Sequence, residues 1–281
     1  MEIYMKTRFD KIIEAALNED APFGDITTIG TVPEEAMAFG RFVAKDDGVL
    51  CGINIAERTF EIVGGEFKLQ KNFSDGDTVK KGDVIAEISG NARTILTGER
   101  TALNLMQRAS GIATLTSEAV RAVSGTKTNI ADTRKTMPGL RLLDKYAVRV
   151  GGGVNHRFNL SDGILIKDNH IAAAGSITNA VLGARKCCPH TMKIEVEVES
   201  FAQLEEALAV GADIIMLDNM SNEDMTRAVG IVSGRALIEA SGNMGERDLA
   251  AVAATGVDLI SIGALTHSVK ALDISLKFKI I

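Results

Sequence analysis

From residue 128 onward the chain alternates short apolar runs with helical stretches, and this alternation limits the possible folds more than any other feature. Strand-like runs are expected at residues 128–131, 163–167, 193–198, 213–217, 236–240 and 258–262, with helical spacing of apolar residues between them. The clearest helix lies in SFAQLEEALAVG. There Ser200 and Gln203 make a capping box, Phe201, Leu204 and Leu208 make the apolar stripe, and Gly211 ends the helix. The segments SDGILIKD, GADIIMLD and GVDLISIG form a weak internal repeat: a small-residue turn, an apolar run, and a polar or glycine exit. Repeated strand-helix units with buried parallel strands imply an α/β barrel or a doubly wound sheet.

In such architectures ligands bind where strands end, so the exits carry the functional information. They are Asp132-Thr133-Arg134-Lys135, Lys167-Asp168-Asn169, Glu197 with Glu199, Asp218-Asn219, Ser241-Gly242-Asn243 and Gly263. All six are polar or glycine and are expected to converge on one site. Ser241-Gly242 and Ser261-Ile262-Gly263 suit a phosphate cup, because glycines let backbone amides approach an oxyanion; each glycine alone also reads as a plain turn. Glu197 and Asp218 suit sugar hydroxyls or a hydrated magnesium ion, or a structural ion pair with a nearby cation. Lys167 fits an ion pair, a Schiff-base nucleophile or an anion clamp.

Charge singles out the same region. Between Arg134 and Lys167 stand seven cations and two anions, a net of +5 in a chain whose net charge is -6. A cationic island in an acidic protein points to a local polyanionic ligand and away from nucleic acid, which needs a broad basic surface. Arg141, Lys145 and Arg149, spaced by four, read as one solvated helix face.

The 281 residues, 46% hydrophobic and 24% charged, can bury a sizeable core. No apolar run reaches the length of a membrane span, and the first residues lack a signal-peptide core, so a cytoplasmic protein is expected. Cys51, Cys187 and Cys188 form no CxxC pair, and His156, His170, His190 and His267 show no HxH or HExxH spacing. Disulfide scaffolding and transition-metal catalysis are therefore unsupported.

The first hundred residues read as a separate α/β unit. A helical stripe runs over residues 8–17, strands over 40–44 and 66–71 with a helix at 54–63 between them, and a hairpin around Val79 and residues 84–88. That hairpin is similar to those of lipoyl-type modules but lacks a lysine at the tip, so a scaffold role is expected. Residues 95–123 read as a long helical region broken near Ser110-Gly111.

Taken together, GERTALNLMQRASGIATLT, DTRKTMPGLRLLDKYAVRVGGGVNHR, ILIKDNH, EVEVES, ADIIMLDNM, EASGN and VDLISIGALTHS resemble the quinolinate phosphoribosyltransferases, in order and over most of the chain after residue 90. The resemblance implies an N-terminal α/β sandwich, residues 1–112, rejoined by residues 269–281. Residues 113–268 would form an incomplete parallel α/β barrel of six or seven strands carrying the site.

It also implies the reaction: quinolinate and phosphoribosyl pyrophosphate give nicotinate mononucleotide, carbon dioxide and pyrophosphate, with Mg²⁺. Arg134, Lys135, His156, Arg157 and Lys167 would line the dicarboxylate pocket, and Arg100 would enter it from the partner of a homodimer. Glu197 and Asp218 would hold the ribose hydroxyls and the metal shell, and Ser241, Gly242 and Gly263 the 5-phosphate. Lys135, Glu197 and Asp218 are the residues expected to act in catalysis. Family members often carry a second glycine where this chain has Asn243. A Schiff-base lyase built on Lys167, a non-catalytic phosphate-binding protein and a molybdenum-associated paralogue are the competing readings.

Overall fold

The computed structural model describes residues 7–281; the first six residues, part of the stretch read as lacking a signal-peptide core, lie outside it. The chain forms two compact units. One comprises the chain up to Ser117, Met137–Gly152 and Val269–Ile281, and the other Glu118–Thr136 and Gly153–Ser268.

In the first unit, α1 (Asp10–Asp20) and α2 (Ile26–Thr31) precede β1 (Met37–Ala44) and β2 (Gly48–Val49). Next come α3 (Ile53–Val63), β3 (Phe67–Lys71), β4 (Thr78–Val79), β5 (Val84–Asn91) and the long α4 (Ala92–Ala122). The C-terminal β12 (Ile274–Ile280) closes a four-stranded antiparallel sheet in the order β12-β1-β5-β3, with Ala44 opposite Ile274 and Ala38 opposite Ile280. Phe42, Phe60, Ile85, Ile88, Ile95, Leu103, Met106 and Ile274 fill its core. Fully burying each such side chain contributes roughly 1.5–3 kcal/mol.

Two expectations fail here. Helix α4 runs unbroken through Ser110 and Gly111. Ser110 Oγ accepts from Cys51 N at 2.9 Å and donates to Cys51 O at 3.0 Å, while a Cβ at residue 111 would stand 2.2 Å from the Lys270 carbonyl oxygen. The small residues serve close packing and do not interrupt the helix. Nor do Arg141, Lys145 and Arg149 share one solvated face on α5 (Arg141–Val150): Arg149 is exposed and Arg141 half-buried, but Lys145 is fully buried, as are Leu143, Asp144, Ala147 and Val148. More than half of this helix's circumference is covered, so spacing by four does not select a wet stripe.

The second unit is a parallel sheet of six strands, β6 (Asn129–Ala131), β7 (Ile164–Ile166), β8 (Ile194–Val198), β9 (Ile214–Asp218), β10 (Leu237–Ser241) and β11 (Leu259–Ser261), in the order β6-β11-β10-β9-β8-β7. β6 and β7, consecutive in the chain, occupy opposite edges, as an incomplete α/β barrel requires. A single parallel bridge from Ala131 to Val154 adds a fragment of a seventh strand beside β6. Between strands lie α6 (Asp168–Ala174), α7 (Ile177–Cys187), α8 (Phe201–Ala209), α9 (Asn222–Val232), a 3₁₀ turn (Met244–Glu246) and α10 (Leu249–Ala254), and α11 (Ala264–His267) follows β11. Ser176, Ser200, Ser221 and Asp248 cap α7, α8, α9 and α10 by accepting backbone N–H bonds, each contributing about 1 kcal/mol. The expected box at α8 is varied in one detail: Gln203 Oε1 accepts from Glu199 N, not Ser200 N.

Strand pairing fixes which residues share a face. Glu195 and Glu197 stand opposite Ile214 and Met216, and Glu239 and Ser241 opposite Met216 and Asp218. Because side chains alternate with period two, Glu195, Glu197, Asp218, Glu239 and Ser241 point to one side of the sheet, joined by Lys167 at the end of β7. The other side, with Val196, Val198, Ile215, Leu217, Ile238 and Ala240, is apolar and buried.

Candidate active site

The polar face carries charge at the carboxyl ends of the strands. Lys167 Nζ forms a short ion pair with Glu197 Oε2, so the ion-pair reading of both residues holds in this structure. Asp218, two residues past the level of Glu197, accepts from Asn219 Nδ2 at 2.7 Å. Ser241 is opposite Asp218 on the next strand.

The loops after β10 and β11 are shaped by close backbone approach. Gly242 has φ +98°, and a Cβ there would lie 2.3 Å from Asn219 Oδ1. Asn243 follows in the left-handed region at φ 48°, one of the few conformations with positive φ that asparagine adopts readily. A second glycine is therefore not required by the backbone. Gly263 is crowded by Lys135: a Cβ would meet Lys135 Cδ at 2.9 Å. Thr266 Oγ1 donates to the Lys135 carbonyl at 2.9 Å, anchoring the loop after β6 at the end of β11.

Arg134 and Arg157 are half-buried neighbours. Arg157 Nη1 donates to the Gly163 carbonyl at 2.8 Å, yet the Nε atoms of both arginines are buried with no hydrogen-bond partner among the described residues. Burial first, and the positive charge of Arg134 second, hold the Arg157 guanidinium below its ordinary pKa, against the pull of Glu195 and Asp162. Two desolvated like charges with unspent donors cost free energy, and a planar carboxylate would relieve both terms.

Beneath them lies a cluster that strand counting at the exits misses. His156 Nε2 is 2.9 Å from Glu195 Oε2 and 3.8 Å from Glu239 Oε2, and both glutamates are buried. Burial and the facing Glu195 carboxylate raise the Glu239 pKa well above the usual range, so this pair holds a proton. The signal was present in EVEV and IEAS: period-two alternation puts Glu195 beside Glu197 and Glu239 beside Ser241. His156 N donates to Asp132 Oδ1 at 2.8 Å and Asn155 Nδ2 to Asp132 Oδ2 at 2.6 Å, so buried Asp132 pins the loop.

The second unit thus brings Arg134, Lys135, His156, Arg157, Lys167, Glu197, Asp218, Ser241, Gly242 and Gly263 onto its strand ends and their loops. Arg100 is exposed on α4 in the first unit.

Family models of the quinolinate phosphoribosyl transferase N-terminal and C-terminal domains match residues 25–110 and 112–277. A probable nicotinate-nucleotide pyrophosphorylase [carboxylating] of Bacillus subtilis is 47% identical, with 95% of this chain and 92% of the relative covered. The nicotinate-nucleotide pyrophosphorylase [carboxylating] of Mycobacterium leprae is 45% identical, with 94% of this chain and 95% of the relative covered. The crystal structure of NadC from Streptococcus pyogenes superposes with a TM-score of 0.91 at 45% identity, covering 98% of this chain and 97% of that one. With both halves of the sequence matched in order and the barrel's strand ends carrying the expected charges, the chain belongs to the quinolinate phosphoribosyl transferase family.

Proposed function

We propose that this chain carries out its family's decarboxylating phosphoribosyl transfer at the strand ends of the second unit, with Arg134 and Arg157 as the dicarboxylate clamp. The observation that carries the assignment is the pair of buried, unspent Nε donors on adjacent arginines. Quinolinate supplies two adjacent carboxylates on a flat ring, which fits two planar guanidiniums better than a monoanion does. Lys135 and Lys167 add positive charge at the rim. Arg100, exposed on its helix, completes the pocket from a second copy in a homodimer.

Glu197 and Asp218 face the ribose of phosphoribosyl pyrophosphate, and the amides around Ser241, Gly242 and Gly263 hold its 5-phosphate. The two carboxylates are hard oxygen donors on neighbouring strand ends, a set that fits Mg²⁺ retaining several waters. Bound there, the ion would neutralise the leaving pyrophosphate. The Lys167 to Glu197 ion pair opens or is shared when substrate arrives, which lets one lysine serve the empty and the filled site.

The pyridine nitrogen already has a lone pair, so no side chain is needed as nucleophile, and the residues mainly hold the ring against the anomeric carbon. Glu197 and Asp218 stabilise positive charge developing on the sugar as pyrophosphate departs. Once ribosylated, the ring nitrogen is cationic; its charge stabilises the electron pair left on the adjacent ring carbon when the carboxylate departs as carbon dioxide, and that carbon then takes a proton from solvent. Arginines bind and orient; the quaternised ring drives decarboxylation. Arg134→Ala is expected to weaken quinolinate binding much more than phosphoribosyl pyrophosphate binding in calorimetric titrations. Equal losses for both ligands would contradict the clamp.

A further inference from the structure

We propose that His156 is a positioning residue, a strut that ties buried Glu195 to the Arg157 peptide, and not itself a ligand of the dicarboxylate. The inference rests on the functional reading above and changes the role of one residue within it.

Its basis is the bonding of the imidazole ring. Arg157 N donates to His156 Nδ1 at 2.7 Å, so Nδ1 bears a lone pair and no proton. The ring proton is therefore on Nε2, which faces Glu195 Oε2 at 2.9 Å with Glu239 Oε2 next at 3.8 Å. A neutral ring with both nitrogens engaged inside the protein has no N–H left for a substrate carboxylate. What the ring does offer is rigidity. One side is held by a carboxylate on β8, and the other holds the peptide whose side chain is the Arg157 guanidinium. Asp132, one residue past the end of β6, accepts from His156 N at 2.8 Å and so fixes the preceding peptide. Two strand ends thereby set the direction in which Arg157 leaves the backbone, and Gly163 O, accepting from Nη1 at 2.8 Å, sets its far end.

Glu195 has a second, buried oxygen with no hydrogen-bond partner among the described residues, as does Glu239. Such a pair is costly for folding, and apolar residues of similar volume would fill the same space. Positioning of the anion clamp accounts for keeping it.

The test combines ring spectroscopy with steady-state kinetics on the full-length chain. In the ligand-free protein, ¹⁵N spectra of labelled histidine should show His156 with Nδ1 unprotonated and Nε2 protonated, and saturating quinolinate should leave that pattern unchanged. Glu195→Met should raise the KM for quinolinate on the order of tenfold to a hundredfold, as small misplacements of a binding group do, with the KM for phosphoribosyl pyrophosphate little changed. Glu195→Gln, which keeps an acceptor for Nε2–H, should restore most of the loss. In a His156→Ala background, Glu195→Met should add nothing further, since its effect passes through the ring.

A doubly protonated ring, a ring proton that shifts to the ligand on binding, or additive losses in the double variant would overturn the strut. If Glu195→Met does not fold, the ring spectrum of the unaltered chain still decides. The reaction assigned above fails separately, if the unaltered chain binds no quinolinate at all, because the tautomer is read without ligand.

Discussion

Two arginine settings in this molecule contrast a closed cation with an open one. In the first unit, Arg108 Nε and Nη2 each donate to Asp144 at 2.8 Å, and Asp144 Oδ2 also accepts from Met137 N at 3.1 Å. Asp144 is fully buried, and both charges are closed against each other. In the second unit, Arg134 and Arg157 lie side by side with buried Nε atoms that donate to nothing among the described residues. The first pair spends its charge on the fold. The second leaves its donors open, at a cost in stability, and under the proposed function a ligand supplies the missing negative charge.

That contrast predicts opposite phenotypes. The largest expected effect is on folding: Asp144→Ala removes the buried carboxylate to which Arg108 Nε and Nη2 both donate, and should lower stability by about 3–5 kcal/mol in urea titrations while the folded fraction still binds quinolinate. Next comes binding: Arg157→Ala should cost quinolinate affinity by about 2–5 kcal/mol in calorimetry, the range for truncating a buried charge partner, with little loss of thermal stability. An Arg157→Ala protein that unfolds instead would erase the distinction between the two settings. Gly242→Ala, forcing a side chain onto φ +98° and against Asn219, should cost about 1–3 kcal/mol, seen as weaker phosphoribosyl pyrophosphate binding or a lower melting point.

The smallest effect has a sign set by linkage. Glu239 is lifted from 4.5 to about 8, so the folded chain binds this proton more tightly than the unfolded one. Its contribution is complete below the unfolded value and is lost as pH rises through the folded one. Melting temperatures followed between about pH 5 and pH 9 should therefore decline less steeply in Glu239→Gln, which stays neutral throughout.

Much of this was legible in the sequence, for identifiable reasons. All six parallel strands fall where apolar runs ended in polar or glycine exits, because a strand buried on one side by helices must read that way. The helix expected over residues 95–123 is present and ends at Ala122, but the break expected at Ser110-Gly111 is absent; whether a small residue marks a bend or a close contact depends on Cys51 and Lys270, which lie far along the chain. Lys145 is buried where spacing by four predicts a wet face, since helical spacing gives the face and not what covers it. Glu195 and Glu239 are marked by alternation, but they lie one layer beneath the strand ends, where polar exits give no signal. The roles proposed for Arg134, Arg157 and Lys167 rest on resemblance; the buried, unspent Nε donors of the two arginines are properties of packing that no local pattern encodes.

The central claim is that the open arginine pair exists to hold the acid that loses carbon dioxide. The direct measurement is release of labelled carbon dioxide from quinolinate carrying the label in the carboxylate next to the ring nitrogen, with and without phosphoribosyl pyrophosphate, for the unaltered chain and for Arg157→Ala. The account predicts release that depends on phosphoribosyl pyrophosphate and is recovered in Arg157→Ala only at much higher quinolinate. Release at the same quinolinate concentration in both proteins, or none from the unaltered chain, would contradict it.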